Sequence, residues 1–221
     1  MIVPAEADIE AAILAAEPTD GHPILDWSDQ NLVEDVALGG TRSVGRLVKR
    51  RHGRGMSPDD LQKSKSVAEM VGALGEQLVN AYLNQLVVAG KLSSFEWISN
   101  YNAIAPYDFK IVPVDNTNRV LDAKSTSSGF LNPIHLSLGE IWTATDGPEP
   151  YDIYRVFKVT ETTATLRIAP NVGPVLRPVV EALMALPRGI AVDSLSVDPN
   201  ILPFETAEID LSLPEEDAAE N

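Results

Sequence analysis

Apolar residues recur at helical spacing in two segments of the N-terminal half of the chain. The first spans about residues 28–38 and is followed by Gly39. The second spans about residues 67–89, follows a capping-box pattern at 66–69, and is followed by Gly90. Both patterns predict amphipathic helices, because residues three and four apart share one face of a helix.

Further along the chain, the apolar pattern changes to short runs rich in β-branched and aromatic residues. Residues 115–117 separate two of these runs and favour a tight hairpin turn. Ser137 and Glu140 form a second capping-box pattern that predicts a helix to about residue 144, and another helix is predicted at 176–186. Strands are predicted at 95–99, 107–114, 118–125, 151–160 and 163–169, and residues 189–197 are predicted to be either a last strand or a docking segment. The order predicts a mixed α/β (α+β) domain with a central mixed sheet flanked by helices.

The pattern divides the chain into three parts. Residues 1–65 are predicted to hold an acidic leader, the short helix and a mobile basic loop that begins near residue 42. Residues 66–200 are predicted to form the folded domain. Residues 201–221 are acidic with few aromatic residues, so we expect a disordered tail.

Composition narrows the class of protein. The 221 residues contain no cysteine, which excludes disulfides, thiol nucleophiles and cysteine-bound zinc and fits a reducing cytoplasm. No apolar run is long enough to span a membrane, and the acidic N-terminus lacks the positive region of a secretory signal. We therefore expect a cytoplasmic protein without a membrane partner.

The net charge of −15 hides a strong asymmetry. Residues 42–65 contain eight of the 17 Lys and Arg residues and only two acids, so the rest has 9 bases and 30 acids. A local basic patch binds phosphate even in an acidic protein. The alternative is a solvated loop, which is the usual state of a charge run. The residues of this stretch that are predicted to bind nucleic acid are Arg46, Lys49, Arg50, Arg51 and Arg54.

Two carboxylates and one ammonium are predicted to meet at one end of the hairpin. Asp122 and Lys124 point to the same side of their strand, because strand side chains alternate faces. Pairing through the turn at 115–117 places Asp108 opposite 122–124. From spacing alone, an Asp–Lys pair two residues apart is more often a surface salt bridge.

Such a cluster has a known chemical use in phosphodiester hydrolysis. The carboxylates of Asp108 and Asp122, with the backbone carbonyl of Ala123, supply the hard oxygen ligands that Mg²⁺ or Mn²⁺ takes. The metal would neutralise the scissile phosphate and activate water, while Lys124 holds the water or stabilises developing charge. Glu76, on the preceding helix, would bind a second metal or orient a metal-bound water.

The order of several motifs resembles a known family. Asp108 followed by Asp122-Ala-Lys124 resembles the signature of the PD-(D/E)xK nuclease superfamily. The wider set resembles the nuclease-like domain at the C-terminus of the plant protein NO VEIN and in bacterial defence proteins, over about residues 70–160. The motifs that carry this resemblance are Gly75-Glu76, Tyr107-Asp108-Phe109, Leu121 to Thr126, Leu136-Ser137 with Glu140, and Tyr154-Arg155-Val156.

The resemblance implies a role for each matching residue. Glu76 matches the helix glutamate of the active site, Asp108 the first metal-binding carboxylate, and Lys124 the catalytic lysine. Asp122 matches the second carboxylate, where the family more often has Glu, so its shorter arm would shift the metal. Further roles are implied by position: phosphate contact for Ser125 and Thr126, DNA contact or an acidic partner for Arg155, and mostly helix capping for Ser137 and Glu140. Residues 1–65 match no part of the family.

Three functional hypotheses follow. The leading one is a Mg²⁺-dependent DNA endonuclease of a prokaryotic restriction or anti-phage system, with a defence-system partner protein or a homodimer left open. The second is a catalytically quiet nuclease-fold module that binds a partner protein or nucleic acid. The third replaces DNA by RNA, which the sequence does not separate.

Overall fold

A computed structural model describes residues 29–40, 43–44, 46–47 and 56–214. Predictions made for residues 1–28, 48–55 and 215–221 lie outside the described residues. Within the described part, no helix is long and apolar enough to cross a membrane.

Helices and strands alternate in the order predicted for a mixed α/β domain. The helices are α1 (Asp29–Ala37), α2 (Pro58–Val88), α3 (Leu138–Asp146) and α4 (Gly173–Met184), with a short 3₁₀ helix at Pro199–Ile201. The strands are β1 (Leu92–Trp97), β2 (Phe109–Pro113), β3 (Arg119–Ser125), β4 (Ile134–Ser137), β5 (Tyr151–Phe157), β6 (Thr163–Ala169), β7 (Ser194–Val197) and β8 (Ile209–Ser212).

One six-stranded mixed sheet organises the domain, in the order β1-β2-β3-β5-β6-β8. β3 and β5 run parallel and the other neighbouring pairs run antiparallel, while β4 and β7 form a separate two-stranded sheet. α2 packs on one face around Leu78 and Leu83, and α3 and α4 pack on the other around Ile141 and Leu176. The predicted fold class is confirmed: a mixed sheet flanked by helices, consistent with a restriction-endonuclease-like arrangement.

The start of α2 corrects the sequence interpretation. The helix begins at Pro58, so residues 58–65 are helical rather than part of a mobile loop, and the helix crosses the predicted boundary at 65/66. Ser57 is the N-cap and accepts from the Asp60 N–H at 3.1 Å. Proline suits the first helical position and acids suit the first turn, so residues 57–60 start the helix and the capping-box pattern at 66–69 lies inside it.

The C-terminal segment gives a second correction. β8 pairs with β6 and buries Leu211, so residues 201–214 are not the disordered tail that their acidity predicts. Ile209 and Leu211 alternate with polar residues, which is the pattern of an edge strand with one buried face. The acidic composition of the segment led us to overlook this short alternating pattern. β4 was also missed, and only 194–197 of the predicted strand 189–197 is a strand.

Gly75 allows α2 to approach β3 closely. A Cβ built on Gly75 would lie 1.8 Å from Ser125 Oγ and 2.7 Å from Ser125 Cβ. Gly72, one turn earlier, has nothing within 4 Å of the same added atom. Of these two glycines, only Gly75 permits close packing, and the contact fixes the helix against the strand that carries Asp122 and Lys124.

The two glycines give a matched test of this contact. We expect Gly75→Ala to lower the free energy of unfolding by about 1–3 kcal/mol through overpacking. Gly72→Ala should raise it by about 0.5–1 kcal/mol, because alanine favours a helix interior. Denaturant unfolding measures both. A Gly75→Ala/Ser125→Gly cycle should show favourable coupling, whereas equal effects of the two alanines would contradict the close approach.

Candidate active site

Pairing of β2 with β3 brings Asp108 to Asp122. The Asp108 N–H donates to the Leu121 carbonyl at 3.0 Å, and the Ala123 N–H donates to Asp108 Oδ2 at 2.7 Å. Asp122 is 4 % exposed, and its carboxyl group lies within hydrogen-bonding reach of Asp108. The expected position of Asp108 opposite residues 122–124 is confirmed.

Lys124 lies between two carboxylates from different elements. Its Nζ is 2.7 Å from Asp122 Oδ2 and 2.9 Å from Glu140 Oε1. Burial favours the neutral amine, yet the charges of Asp122 and Glu140 outweigh it and raise the pKa of Lys124 above its ordinary value. The lysine therefore stays protonated, and the pair is a buried contact rather than a surface salt bridge.

Glu140 was assigned mostly to helix capping, and the structure gives it a second role. Its Oε2 accepts from the Ser137 N–H at 2.8 Å, and the Glu140 N–H donates to Ser137 Oγ at 3.2 Å, which completes the capping box. The other oxygen, Oε1, accepts from Lys124. Because the cap fixes the backbone and one oxygen, the carboxylate holds Lys124 from a preorganised position. Ser137 contributes only to the cap.

Glu76 lies close to Asp108, and two hydrogen-bond donors orient its carboxylate. Its Oε2 accepts from Trp97 Nε1 at 3.0 Å and from Ser99 Oγ at 2.6 Å. It is close enough to Asp108 to raise the pKa of that carboxyl. Trp97 and Ser99 were not identified as partners of Glu76 from the sequence, since they follow Glu76 by more than 20 residues and carry no motif.

The crowding of carboxylates shows in the titration of Asp108. Burial, followed by the charges of Asp122 and Glu76, raises the pKa of Asp108 to about 9, against the opposing effect of the Ala123 N–H. At neutral pH this carboxyl is protonated. A bound cation would offset the same repulsion, so the cluster favours either a proton or a metal ion.

Two carboxylates of the site match the oxygen ligands that a magnesium-type ion takes, and no third side chain joins them among the described residues. Among the described residues, no three His, Asp or Glu side chains form a group that could hold a metal ion. Mg²⁺ is commonly bound by one or two carboxylates, with water and substrate phosphate completing its shell. Asp108 and Asp122 supply such a pair. The Ala123 carbonyl and Glu76 stay predicted ligands, and what the structure describes for Ala123 is its N–H bond to Asp108.

Other residues assigned from the resemblance lie beside Lys124 but face inward. Thr126 is 1 % exposed, and its Oγ1 accepts from the Ser128 N–H and from Asn132 Nδ2, both at 3.1 Å. Arg155 is 2 % exposed, pairs in register with Lys124, and donates to the carbonyls of Lys124 and Asn132. Burial lowers the pKa of Arg155 to about 10. Their nucleic-acid contacts stay predictions.

The basic stretch is only partly described. Arg46 is half-buried, and its Nε has no hydrogen-bond partner among the described residues. The other residues assigned to nucleic acid in this stretch lie outside the described residues: Lys49, Arg50, Arg51 and Arg54.

Comparison with family models finds one match over the segment that carries this site. Residues 75–168 match the family described as Protein NO VEIN, C-terminal, which confirms the resemblance to that domain. The match begins at Gly75 and includes Asp108, Asp122, Lys124 and Glu140. A search of curated proteins and a search of solved structures find no match. Membership of the PD-(D/E)xK superfamily stays a prediction.

The raised pKa of Asp108 predicts a pH-dependent cost to stability. The ordinary pKa is 3.8 and the folded value about 9, so the folded protein holds a proton that the unfolded chain loses between them. Stability from this group therefore falls as pH rises across that range. In metal-free buffer, we expect Asp108→Asn to raise the free energy of unfolding by about 2 kcal/mol or more at about pH 8.

Near pH 4 the folded carboxyl is neutral and the unfolded one is only partly ionised, so Asp108→Asn should change stability little. Thermal unfolding across this pH range checks the prediction, with Asp210→Asn on exposed β8 as the control. A pH-independent gain, or a loss at about pH 8, would contradict the crowding of carboxylates around Asp108.

Proposed function

We propose that this chain is a metal-dependent endonuclease that hydrolyses DNA phosphodiester bonds. The observation that supports it most is the convergence of Asp108, Asp122 and Lys124 at one end of the β2–β3 hairpin, with Lys124 held by Glu140. The order of these residues is that of the resemblance to PD-(D/E)xK nucleases. The basic stretch upstream supports nucleic acid as the substrate.

The charge of each side chain at neutral pH limits the role that it takes in this proposal. Lys124 stays cationic between Asp122 and Glu140, so it stabilises negative charge on a phosphate or positions a water and does not act as a general base. Asp108 and Asp122 are the groups that would hold Mg²⁺ or Mn²⁺. When bound, the ion would neutralise the phosphate and lower the pKa of a coordinated water.

Glu140 is a positioning residue in this proposal. Its carboxylate reaches Lys124 from the rigid first turn of α3, while Asp122 reaches it from β3. Two fixed partners restrict the ammonium to one place, and restricted placement is what electrostatic stabilisation of a transition state requires. Trp97 and Ser99 restrict Glu76 in the same way.

The biological setting follows from the resemblance rather than from geometry. Bacterial defence proteins contain domains of this kind, so we assign the activity to a cytoplasmic restriction or anti-phage system. RNA is the alternative substrate, and the same cleavage assay with an RNA duplex separates the two.

A catalytically quiet module is the second candidate, and features of the site itself favour it. The described residues contain no group of three metal-binding side chains, and Asp122 already pairs with Lys124. The side chain of Asp122 is also shorter than that of the glutamate that is more frequent at this position in the related domains. Such a site would bind nucleic acid or a partner protein without turnover.

Plasmid cleavage with Mg²⁺ or Mn²⁺ tests the proposal. We expect Lys124→Ala and Asp122→Asn each to lower the cleavage rate about 100-fold or more. Glu140→Gln should lower it about 10-fold or more, because it loosens the lysine without removing it. Lys91→Ala is the control, since Lys91 is exposed and precedes Leu92, which pairs with Pro113 near the hairpin turn, at the other end of the strands from Asp108 and Asp122.

Cleavage by the wild type that survives Lys124→Ala would contradict the assignment. A wild type that binds DNA and metal without cutting would favour the quiet module. Circular dichroism and melting temperature identify any variant that has lost its fold.

A further inference from the structure

α1 places two buried acids over the end of β3. Within this nine-residue helix, Glu34 and Asp35 are 9 % and 3 % exposed. Buried carboxylates are costly unless donors satisfy them. Three of their hydrogen-bond partners lie 93–100 positions away in sequence, in the loop after β3 and in β4, and a fourth is the nearby Ser43.

Those donors are the kinds of group that bind phosphate oxygens. Glu34 Oε2 accepts from the hydroxyls of Ser127 at 3.2 Å and Ser128 at 3.1 Å. Asp35 Oδ1 lies 3.0 Å from His135 Nε2, and its Oδ2 accepts from the Ser43 hydroxyl. Serine hydroxyls and arginine guanidinium groups are among the side chains that donate to phosphate oxygens of nucleic acids, and an imidazole N–H is a donor of the same kind. A carboxylate presents the same negatively charged oxygens as a phosphate.

A small polar cavity lies beneath these acids. Its volume is about 10 Å³, and it is lined by Glu34 and Asp35 on one side and by Ser125, Asn132 and Arg155 on the other. Ser125 Oγ, Asn132 Oδ1 and Arg155 Nε are buried and find no hydrogen-bond partner in the described part of the chain. Native proteins leave few such atoms unpaired. The cavity has room for about one water, so with α1 in place the polar atoms beneath it lack partners among the described residues, and a larger polar ligand would supply them.

This surface adjoins the candidate active site. Ser125 follows Lys124 directly, and Arg155 pairs with Lys124 in the β3–β5 register and donates to its carbonyl at 3.1 Å.

α1 is held by little apolar packing. Leu32 packs with Leu47, Val33 and Met56 in a small cluster that is separate from the two cores of the sheet. A cavity of about 220 Å³ lies between α1 and α2, lined by Val33, Val67 and Val71 among others. Elements with few buried apolar contacts open at low free-energy cost.

We propose that α1 is an acidic cover over a phosphate-binding surface formed by Ser127, Ser128, His135 and Arg155. Glu34 and Asp35 occupy the places of two backbone phosphates, and a nucleic acid binds when α1 is displaced. The proposal rests on the proposed function for the identity of the ligand, and it adds a regulated step that the site chemistry does not require.

Binding of a fluorescein-labelled DNA duplex to the full chain in chelator tests the cover without cleavage. We expect Glu34→Gln/Asp35→Asn to raise the affinity about 10-fold or more, since the acids no longer compete with phosphate. The control Glu69→Gln/Glu181→Gln removes the same charge from exposed positions on α2 and α4. It should change affinity less than about threefold, because exposed charges are screened.

A reversible cross-link gives a second test that leaves both acids in place. The chain has no cysteine, so Val33→Cys and Val67→Cys, on opposite walls of one cavity, introduce the only two. Joining them with a short bis(methanethiosulfonate) linker holds α1 against α2. We expect the linked protein to bind the duplex about 10-fold more weakly than the same protein after reduction.

The outcomes separate this proposal from the nuclease assignment. Equal affinity in the linked and reduced forms, unchanged affinity in Glu34→Gln/Asp35→Asn, or no duplex binding by any form overturns the cover. If cleavage nevertheless depends on Lys124, the proposed function stands without it. If affinity responds as expected but no form cuts DNA, the cover stands and the nuclease assignment fails.

Discussion

The contact of Lys124 with both Asp122 and Glu140 is the interaction on which the site depends. A buried ammonium costs far more than any surface charge unless carboxylates meet it at close range. Distances of 2.7 and 2.9 Å meet that requirement, and they join β3 to the first turn of α3. The capping box that starts α3 is therefore part of the same construction, since Ser137 fixes the glutamate that fixes the lysine.

Around this contact, carboxylates outnumber the single ammonium group of Lys124. Asp122 and Glu140 contact the one ammonium, Asp108 and Glu76 lie close to this group, and partial burial reduces the screening of their charges by water. Burial and neighbouring carboxylates raise the pKa of Asp108 and also that of Glu140. Under the proposed function, a bound cation would replace the proton that the raised pKa of Asp108 retains in its absence. The excess of negative charge is thus the property that connects the geometry with metal-dependent chemistry.

Local sequence signals predicted the parts of the site that depend on local geometry. Alternation along β3 and a turn near Asn116 were sufficient to place Asp108 beside Asp122 and Lys124. Glu140 was recognised as a cap but not as a partner of Lys124, because a capping box explains the residue fully within its own helix. The start of α2 was misplaced because residues 66–69 repeat a start signal inside a helix that Ser57 and Pro58 already begin.

Contacts between distant segments could not be predicted in this way. Glu34 and Asp35 carry no motif, and their donors lie about 90–100 residues further along the chain. β8 was not predicted because the segment around it is acidic, although Leu211 is buried and the strand pairs with β6. Periodicity indicates which face of an element is buried, whereas the partner of that face depends on the topology of the whole sheet.

Anomalous diffraction from crystals soaked in Mn²⁺ near neutral pH tests the metal site most directly, because a bound cation would offset the repulsion that keeps a proton on Asp108. We expect a manganese peak bound by the carboxylates of Asp108 and Asp122, and its loss in Asp122→Asn. A protein that shows no peak between these two residues, or that binds manganese equally well after Asp122→Asn, would contradict it.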